Sequence, residues 1–204
     1  MRKPEEIVKE KLLLVEGNDQ RNFFFAFLKH IGLEEYVQVM NFGGVNELKD
    51  YLPPLVKMPG FRNVKSVGLV RDAENSEAGA LQSVQSALQK VGLPVPPEVG
   101  AIAEGGHPLV GILILPGDGQ PGMLETLIND TFSGTAIDKC IDVFFDCVEK
   151  SAAGSIRNEH KARAFAFLAT TENARHSVGV AAKRGDLNLQ HGTFARLRDF
   201  LNRL

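Results

Sequence analysis

Leu12-Leu13-Leu14-Val15 is a continuous apolar run that stops on Glu16-Gly17. So short and uniform a run reads as a strand covered on both faces, because a strand with one wet face alternates. Further strands are expected over Tyr36 to Met40, Val64 to Val70, Val99 to Ala103 and Leu109 to Leu115. Helical patterns separate the earlier ones. Asn18 is placed to cap a helix from Asp19 to His30, ended by Gly32, whose phenylalanines suit packing on a sheet. Val45 to Leu52 reads as a helix broken by Pro53-Pro54, and Glu77 to Val91 carries an apolar stripe at Leu81, Val84, Leu88 and Val91. Strand-helix alternation of this kind requires a mostly parallel sheet with crossover helices.

After the glycine-rich segment Pro116 to Gly122 the pattern turns helical, over 123–131, 136–149, 159–169, 178–183 and 193–204. The expected organisation is therefore an α/β core over 1–132 and a C-terminal helical extension over 133–204 packed on it. A chain of 204 residues accommodates both. Cys140 and Cys147 sit seven apart on one predicted helix, about 10.5 Å along its axis and too far for a disulfide. They are expected as buried small hydrophobes in a reducing, cytoplasmic setting. No apolar run approaches the roughly 20 residues of a membrane helix, and the polar start Met1 to Glu6 does not read as a signal peptide. Charge is divided along the chain: 14 Lys/Arg and 21 Asp/Glu up to residue 150, then nine and four, so −7 followed by +5. A basic half beside an acidic one suits either mutual packing or a phosphate backbone. A P-loop and a nucleophile elbow are both absent from the sequence. His30, His107, His160, His176 and His191 are scattered and read as structural or solvated.

In an open parallel sheet, ligands bind beyond the carboxyl ends of the strands. Acids recur there: Glu16 ends the first strand, Asp72 and Glu74 follow the third, and Glu125 follows the glycine-rich loop. Each has a simpler reading, as a loop acid, a turn cap, a solvated residue or a first-turn helix acid. Together they are carboxylates that repel unless a proton or cation joins them. Hard oxygen ligands select Mg²⁺ or Mn²⁺.

A strand ending in Glu-Gly (Leu12 to Gly17), then a strand ending in acid-x-acid (Val67 to Glu74), resembles the Toprim fold of topoisomerases, DnaG-type primases and OLD-family nucleases. Gly43-Gly44 and Pro121 to Glu125 are similar to a stand-alone group of Toprim-like bacterial and archaeal proteins of unassigned function, near the OLD branch. The resemblance covers roughly residues 10–130. It implies Glu16 as metal ligand or general acid/base, and Asp72 and Glu74 as divalent-metal ligands. Glu74 stands where Asp is usual, a methylene longer. It further implies Glu125 as an additional carboxylate and Lys161, or second Lys183, as a lysine completing the site. Gly17, Gly43 and Gly44 would shape the strand ends.

Three functions follow from this reading. The first is a Mg²⁺- or Mn²⁺-dependent phosphoryl-transfer enzyme on nucleic acid, DNA or RNA, that works beside a separate ATPase or helicase as OLD-type nucleases do. The second is a non-catalytic module that binds metal or nucleotide. The third is a receiver-like domain with Asp72 as phosphoacceptor; Gly17 stands where a second acid is expected, and Leu115-Pro116 lacks the expected lysine.

Overall fold

A computed structural model describes residues 5–103, 105–151, 155–172 and 177–204. Residues 1–4 and His176, on which two of the readings above bear, lie outside them. Strands β1 (Lys11–Glu16), β2 (Val37–Gly43), β3 (Ser66–Asp72), β4 (Ile102–Ala103) and β5 (Leu109–Leu115) form one sheet in the order β2-β1-β3-β5-β4. All pairings are parallel except β4 with β5. The expected mixed α/β architecture, a mostly parallel sheet flanked by helices, is what the chain adopts.

Strand alternation assigns each residue to a face. Leu13, Val15, Val39, Val70, Leu113 and Leu115 enter one hydrophobic cluster, with α1 (Gly17–His30), α4 (Leu124–Asp130), α7 (Val178–Arg184) and α8 (Ala195–Arg203). Leu12, Leu14, Met40, Val67, Leu69 and Ile112 enter the other, with α2 (Leu48–Val56) and α3 (Glu77–Lys90). Both faces are dry, which is why β1 reads as an unbroken apolar run. Gly68 of β3 pairs in register with Gly111 of β5, and the two leave room for α8. A Cβ at Gly68 would lie 2.8 Å from Leu204 Cδ2, and one at Gly111 2.8 Å from Phe200 Cε2. Helix α6 (Glu159–Leu168) adds Ala164 and Leu168 to the first cluster, and its other side meets α5 (Ala136–Lys150) in a small separate cluster around Phe132, Ile141 and Phe145.

Several local expectations are corrected. Helix α1 starts at Gly17, straight from the strand, so Glu16 and not Asn18 occupies the N-cap position. Pro53 and Pro54 lie inside α2 and do not break it. Leu48, Tyr51, Leu52 and Leu55 are buried along that helix, and their packing outweighs two missing N–H groups. Cys140 and Cys147 are exposed, not buried. Helix α5 buries only Ile141 and Phe145, so positions 140 and 147 fall on its open side.

Candidate functional site

The sheet order places β1 between β2 and β3, so the chain reverses its direction of travel across the sheet at β1 and β3. That is where an open α/β sheet leaves a crevice at its carboxyl edge. Val15 pairs with Val70 and Asp72 with Leu115, so Glu16, Arg71 and Asp72 all end at this one edge. Glu16 to α1 is a turn of no length. Gly17 makes it possible with φ +77°, a left-handed value at which a side chain is strained. Buried Asn41 fixes the corner: its Oδ1 accepts from Gly17 N at 3.0 Å and from Gly43 N at 2.7 Å. Gly43 has φ +105°, and a Cβ there would collide with the Glu47 carboxylate. Gly44 carries no such requirement; its Cβ would meet Glu47 Oε1 at an ordinary 3.7 Å.

Asp72 does not cap the helix that follows it. Ser76 does, its Oγ accepting from Gly79 N at 3.1 Å. Asp72 Oδ1 instead accepts from Leu124 N at 3.0 Å, fastening the start of α4 to the end of β3. Glu125, next in α4, is thereby drawn under the edge and is buried. Glu74 is exposed, on a left-handed backbone (φ 52°) locked by two 2.8 Å hydrogen bonds with Gly122. Strain at a non-glycine residue is tolerated only where surroundings over-determine it. Here the loop 116–122 is held against the acid-x-acid turn.

Electrostatics bind the set together. Glu16 is raised to a pKa of about 6, chiefly by burial; Arg71 opposes the rise and Glu74 adds to it. Asp72 is raised well above the usual range by burial, then by Glu16 and Glu125. The residue keeps some accessible surface, but its carboxyl is enclosed, and that enclosure governs its ionisation. Glu125 is raised by burial, moderated by its own backbone N–H and by Lys161, with Asp19 and Glu74 pushing upward. Lys161, exposed in the first turn of α6, lowers both Glu16 and Glu125 through space. Its helix is positioned by Asn158, whose Oδ1 accepts from Lys161 N at 3.0 Å, and by Asn129 Nδ2 donating to His160 O at 3.1 Å. Lys183 is elsewhere, its Nζ on Asn22 Oδ1 at 2.6 Å.

Sequence reasoning misses four members. Arg71 is buried with its Nε 3.7 Å from Glu16 Oε2. Gln20, also buried, accepts from Glu16 N at 3.1 Å through Oε1, while its Nε2 eases Asp72's charge without forming a hydrogen bond by geometry. Asn41 and Asp19 complete the set. A signal exists for Arg71 and Asn41: each is the first polar residue after the apolar end of a strand, Leu69-Val70 and Val39-Met40.

The donor set suits a hard divalent cation. The atoms are carboxylate oxygens, their mutual repulsion and burial raise their proton affinity, and Glu16 Oε2 is buried with no hydrogen-bond partner. Yet among the described residues no three His, Cys, Asp or Glu side chains stand close enough to form a ready cage. Such a cation would have to take one or two carboxylates and complete its shell with water or substrate oxygens, as Mg²⁺ commonly does. Among the described residues no helix is long and apolar enough to cross a membrane.

No curated protein sequence matches the chain. Among solved structures, the mercury-phased C-terminal region of the Xanthomonas campestris pv. campestris OLD protein is similar in fold at a TM-score of 0.50 and 11% identity, covering 96% of this chain and 95% of that one. The platinum-phased structure of the same region aligns at a TM-score of 0.40 and 13% identity, over 96% and 98%. At 11% identity the first of these likenesses concerns architecture alone. A family model matches residues 10–204, nearly the whole chain, and the protein therefore belongs to the family described as "Protein of unknown function (DUF3226)".

Proposed function

We propose that the protein is a Mg²⁺- or Mn²⁺-dependent phosphoryl-transfer enzyme acting on nucleic acid, with a nuclease-like Toprim site. One observation carries the reading: Glu16, Asp72 and Glu125 are gathered at the switch point of the sheet with raised proton affinities, beside Lys161. Carboxylates so placed bind protons more readily than free ones, and a divalent cation would relieve the same repulsion. Asp72 and Glu16 would hold the cation, with Glu125 and Glu74 as further oxygen donors. A bound cation of this kind stabilises phosphate charge and makes a water acidic. With Glu16 off the cation, its pKa of about 6 suits it to take up and return a proton near neutral pH; as a ligand it would instead stay ionised. Arg71 keeps Glu16 from neutralising outright, and Lys161 offers a positive charge for a phosphate oxygen. The family resemblance read from Leu12 to Gly17 and Val67 to Glu74 supports the same assignment.

The absence of a ready three-ligand cage among the described residues favours a second reading, a module that binds metal or nucleotide without turnover. A receiver role fits less well: flavodoxin-like sheets run 2-1-3-4-5, whereas this sheet ends in β5-β4 with an antiparallel edge. The decisive experiment is Mn²⁺ titration by calorimetry on the wild type and Asp72→Asn, followed by Mn²⁺-dependent cleavage of labelled single- and double-stranded DNA and RNA. Saturable binding and cleavage, both lost in Asp72→Asn, support the enzyme. Binding without cleavage moves the assignment to the module, and no Mn²⁺ binding even with a phosphorylated oligonucleotide present overturns the enzyme and the metal-binding module alike.

A further inference from the structure

Helices α1 and α7, with the loop after α7, enclose a groove of about 920 Å³ that contains none of the edge carboxylates. Its floor is apolar, from Ala26, Ala182, Leu187 and Leu189. Its rim is cationic: Lys29, Lys183 and Arg184 are exposed there against one acid, Glu34. Phe25 stands on the same rim and is 37% exposed, although Phe23, Phe24 and Phe27 of the same helix are fully buried. Arg21 Cζ lies 5.3 Å from the centroid of its ring and Lys183 Nζ 5.4 Å. Cation and ring are thus already arranged together, and the hydrogen bond from Lys183 to Asn22 holds that ammonium on the wall of the groove.

The seam between α1 and α7 leads from the groove to the carboxylate edge. At its far end Asp19 Oδ1 accepts from Gly179 N at 2.7 Å and from Ser177 Oγ, and Asp19 is also one of the charges felt by Glu125. Gly179 lets the helices close; a Cβ there would stand 2.7 Å from Asn22 Cβ. From Asp19 to Lys29 is ten helical residues, about 15 Å. A ligand for this surface needs repeated negative charge, a flat ring to lie on Phe25 and enough length to follow the seam. A single nucleic-acid strand has all three, whereas a duplex keeps its base faces stacked away from such a ring.

The geometry points to this groove as the seat of a single-stranded nucleic acid, with phosphates on Lys29, Lys183 and Arg184, a base on Phe25 in exchange for one of the two cations now over its ring, and the strand continuing along the α1–α7 seam toward Glu16 and Asp72. The destination of the strand rests on the function proposed above; the binding itself does not. It also assigns Lys183 to substrate holding in place of the carboxylate chemistry.

The test is fluorescence anisotropy of a labelled single-stranded oligothymidylate in EDTA, which removes metal chemistry from the measurement. Reversing all three rim charges (K29E, K183E, R184E) is expected to weaken binding more than tenfold and to flatten the slope of log affinity against log salt by about 2, roughly 0.7 per phosphate contact. Phe25→Leu is expected to weaken binding about tenfold with the slope unchanged. Circular dichroism checks each fold, and K49E/K57E/R62E, charges outside the groove, is expected to bind as wild type. The proposal is overturned if the wild type does not bind, if the groove and control reversals act alike, or if unlabelled duplex competes as well as single strand. Asp72-dependent cleavage without groove binding removes this proposal and leaves the function. Groove binding without metal affinity removes the function and leaves this proposal.

Discussion

The molecule carries two groups of acids facing an arginine, and they are built in opposite ways. At the sheet edge, Glu16, Asp72 and Glu125 are enclosed and crowd one another, and among the described residues Arg71 pairs with Glu16 alone, at 3.7 Å. Between α5 and α6, Arg163 Nη2 lies 2.9 Å from Asp138 Oδ1 and also contacts Asp142, while Asp138 receives Gly134 N at 2.8 Å. Asp138 is accordingly held below the usual range, first by the Gly134 N–H and then by Arg163. Burial works against the charge on Arg163, but its two carboxylate partners outweigh it and raise its pKa. One group has too little positive charge for its acids; the other is satisfied. The satisfied group holds two helices together. The unsatisfied group favours a proton, and under the function proposed above it would favour a cation, which is how a reactive cluster would differ from a structural one.

The contrast breaks most visibly through Asp72→Asn. The amide preserves an oxygen for Leu124 N and relieves the repulsion. Calorimetry should show Mn²⁺ binding abolished, while urea unfolding without metal shows the variant equal to or more stable than wild type at pH 8. Equal Mn²⁺ affinity in the two proteins would remove the edge as a cation site. Next comes Arg71→Leu, which leaves Glu16 enclosed without its cation. It should cost about 3 kcal/mol at pH 8, and clearly less at pH 5, where Glu16 is protonated. A loss that is the same at both pH values would show that the arginine acts by packing alone.

The third effect is the pH dependence of stability. Glu16 has a folded pKa of about 6 against 4.5 unfolded, so the folded state binds the proton more tightly between those values. Stability without metal should therefore fall as pH rises from about 4.5 to about 6, by roughly 2 kcal/mol at 1.36 kcal/mol per unit. Glu16→Gln should flatten that part of the curve of urea midpoint against pH. Asp138 contributes in the reverse sense: its pKa is depressed, so its stabilisation is present above the ordinary aspartate range and disappears on acidification through its folded pKa. The smallest effect is Arg163→Ala, expected to cost about 1 kcal/mol in low salt and less in high salt, because that group is near the surface. Chemical denaturation at two salt concentrations checks it.

Much of the carboxylate edge is legible in the amino-acid sequence. A dry strand announces itself as an unbroken apolar run, and a strand must end somewhere, so Glu16 and Asp72 stand where the runs stop. Glu125 is legible because a glycine-rich loop returns the chain to the same edge. Pairing across the sheet is not. Arg71 belongs to β3 but serves Glu16 of β1, and Asn41 belongs to β2 but fixes Gly17, relations that exist only once the strands lie side by side. The misreadings have a common source as well. Local propensity alone makes Pro53-Pro54 a helix breaker and Cys140 and Cys147 core residues, and in each case the tertiary surroundings decide otherwise. Four buried side chains carry α2 through its prolines, and the lack of a covering layer leaves one side of α5 open. For the two candidate lysines, the helical pattern is equally mute; only the field on Glu16 and Glu125 distinguishes Lys161 from Lys183.

Gly68 and Gly111 sit in the first 115 residues, yet the side chains that fill the hollow above them come from Phe200 and Leu204. During synthesis the strands are complete long before their cover exists. At 5–20 residues per second, that delay is roughly 5–20 s. For that interval α1 and α4 can already cover part of this face, but the apolar surface over Gly68 and Gly111 stays open until α8 is made. Sealing that part of the core is thus a late step in the order of synthesis, since α8 follows every strand it covers.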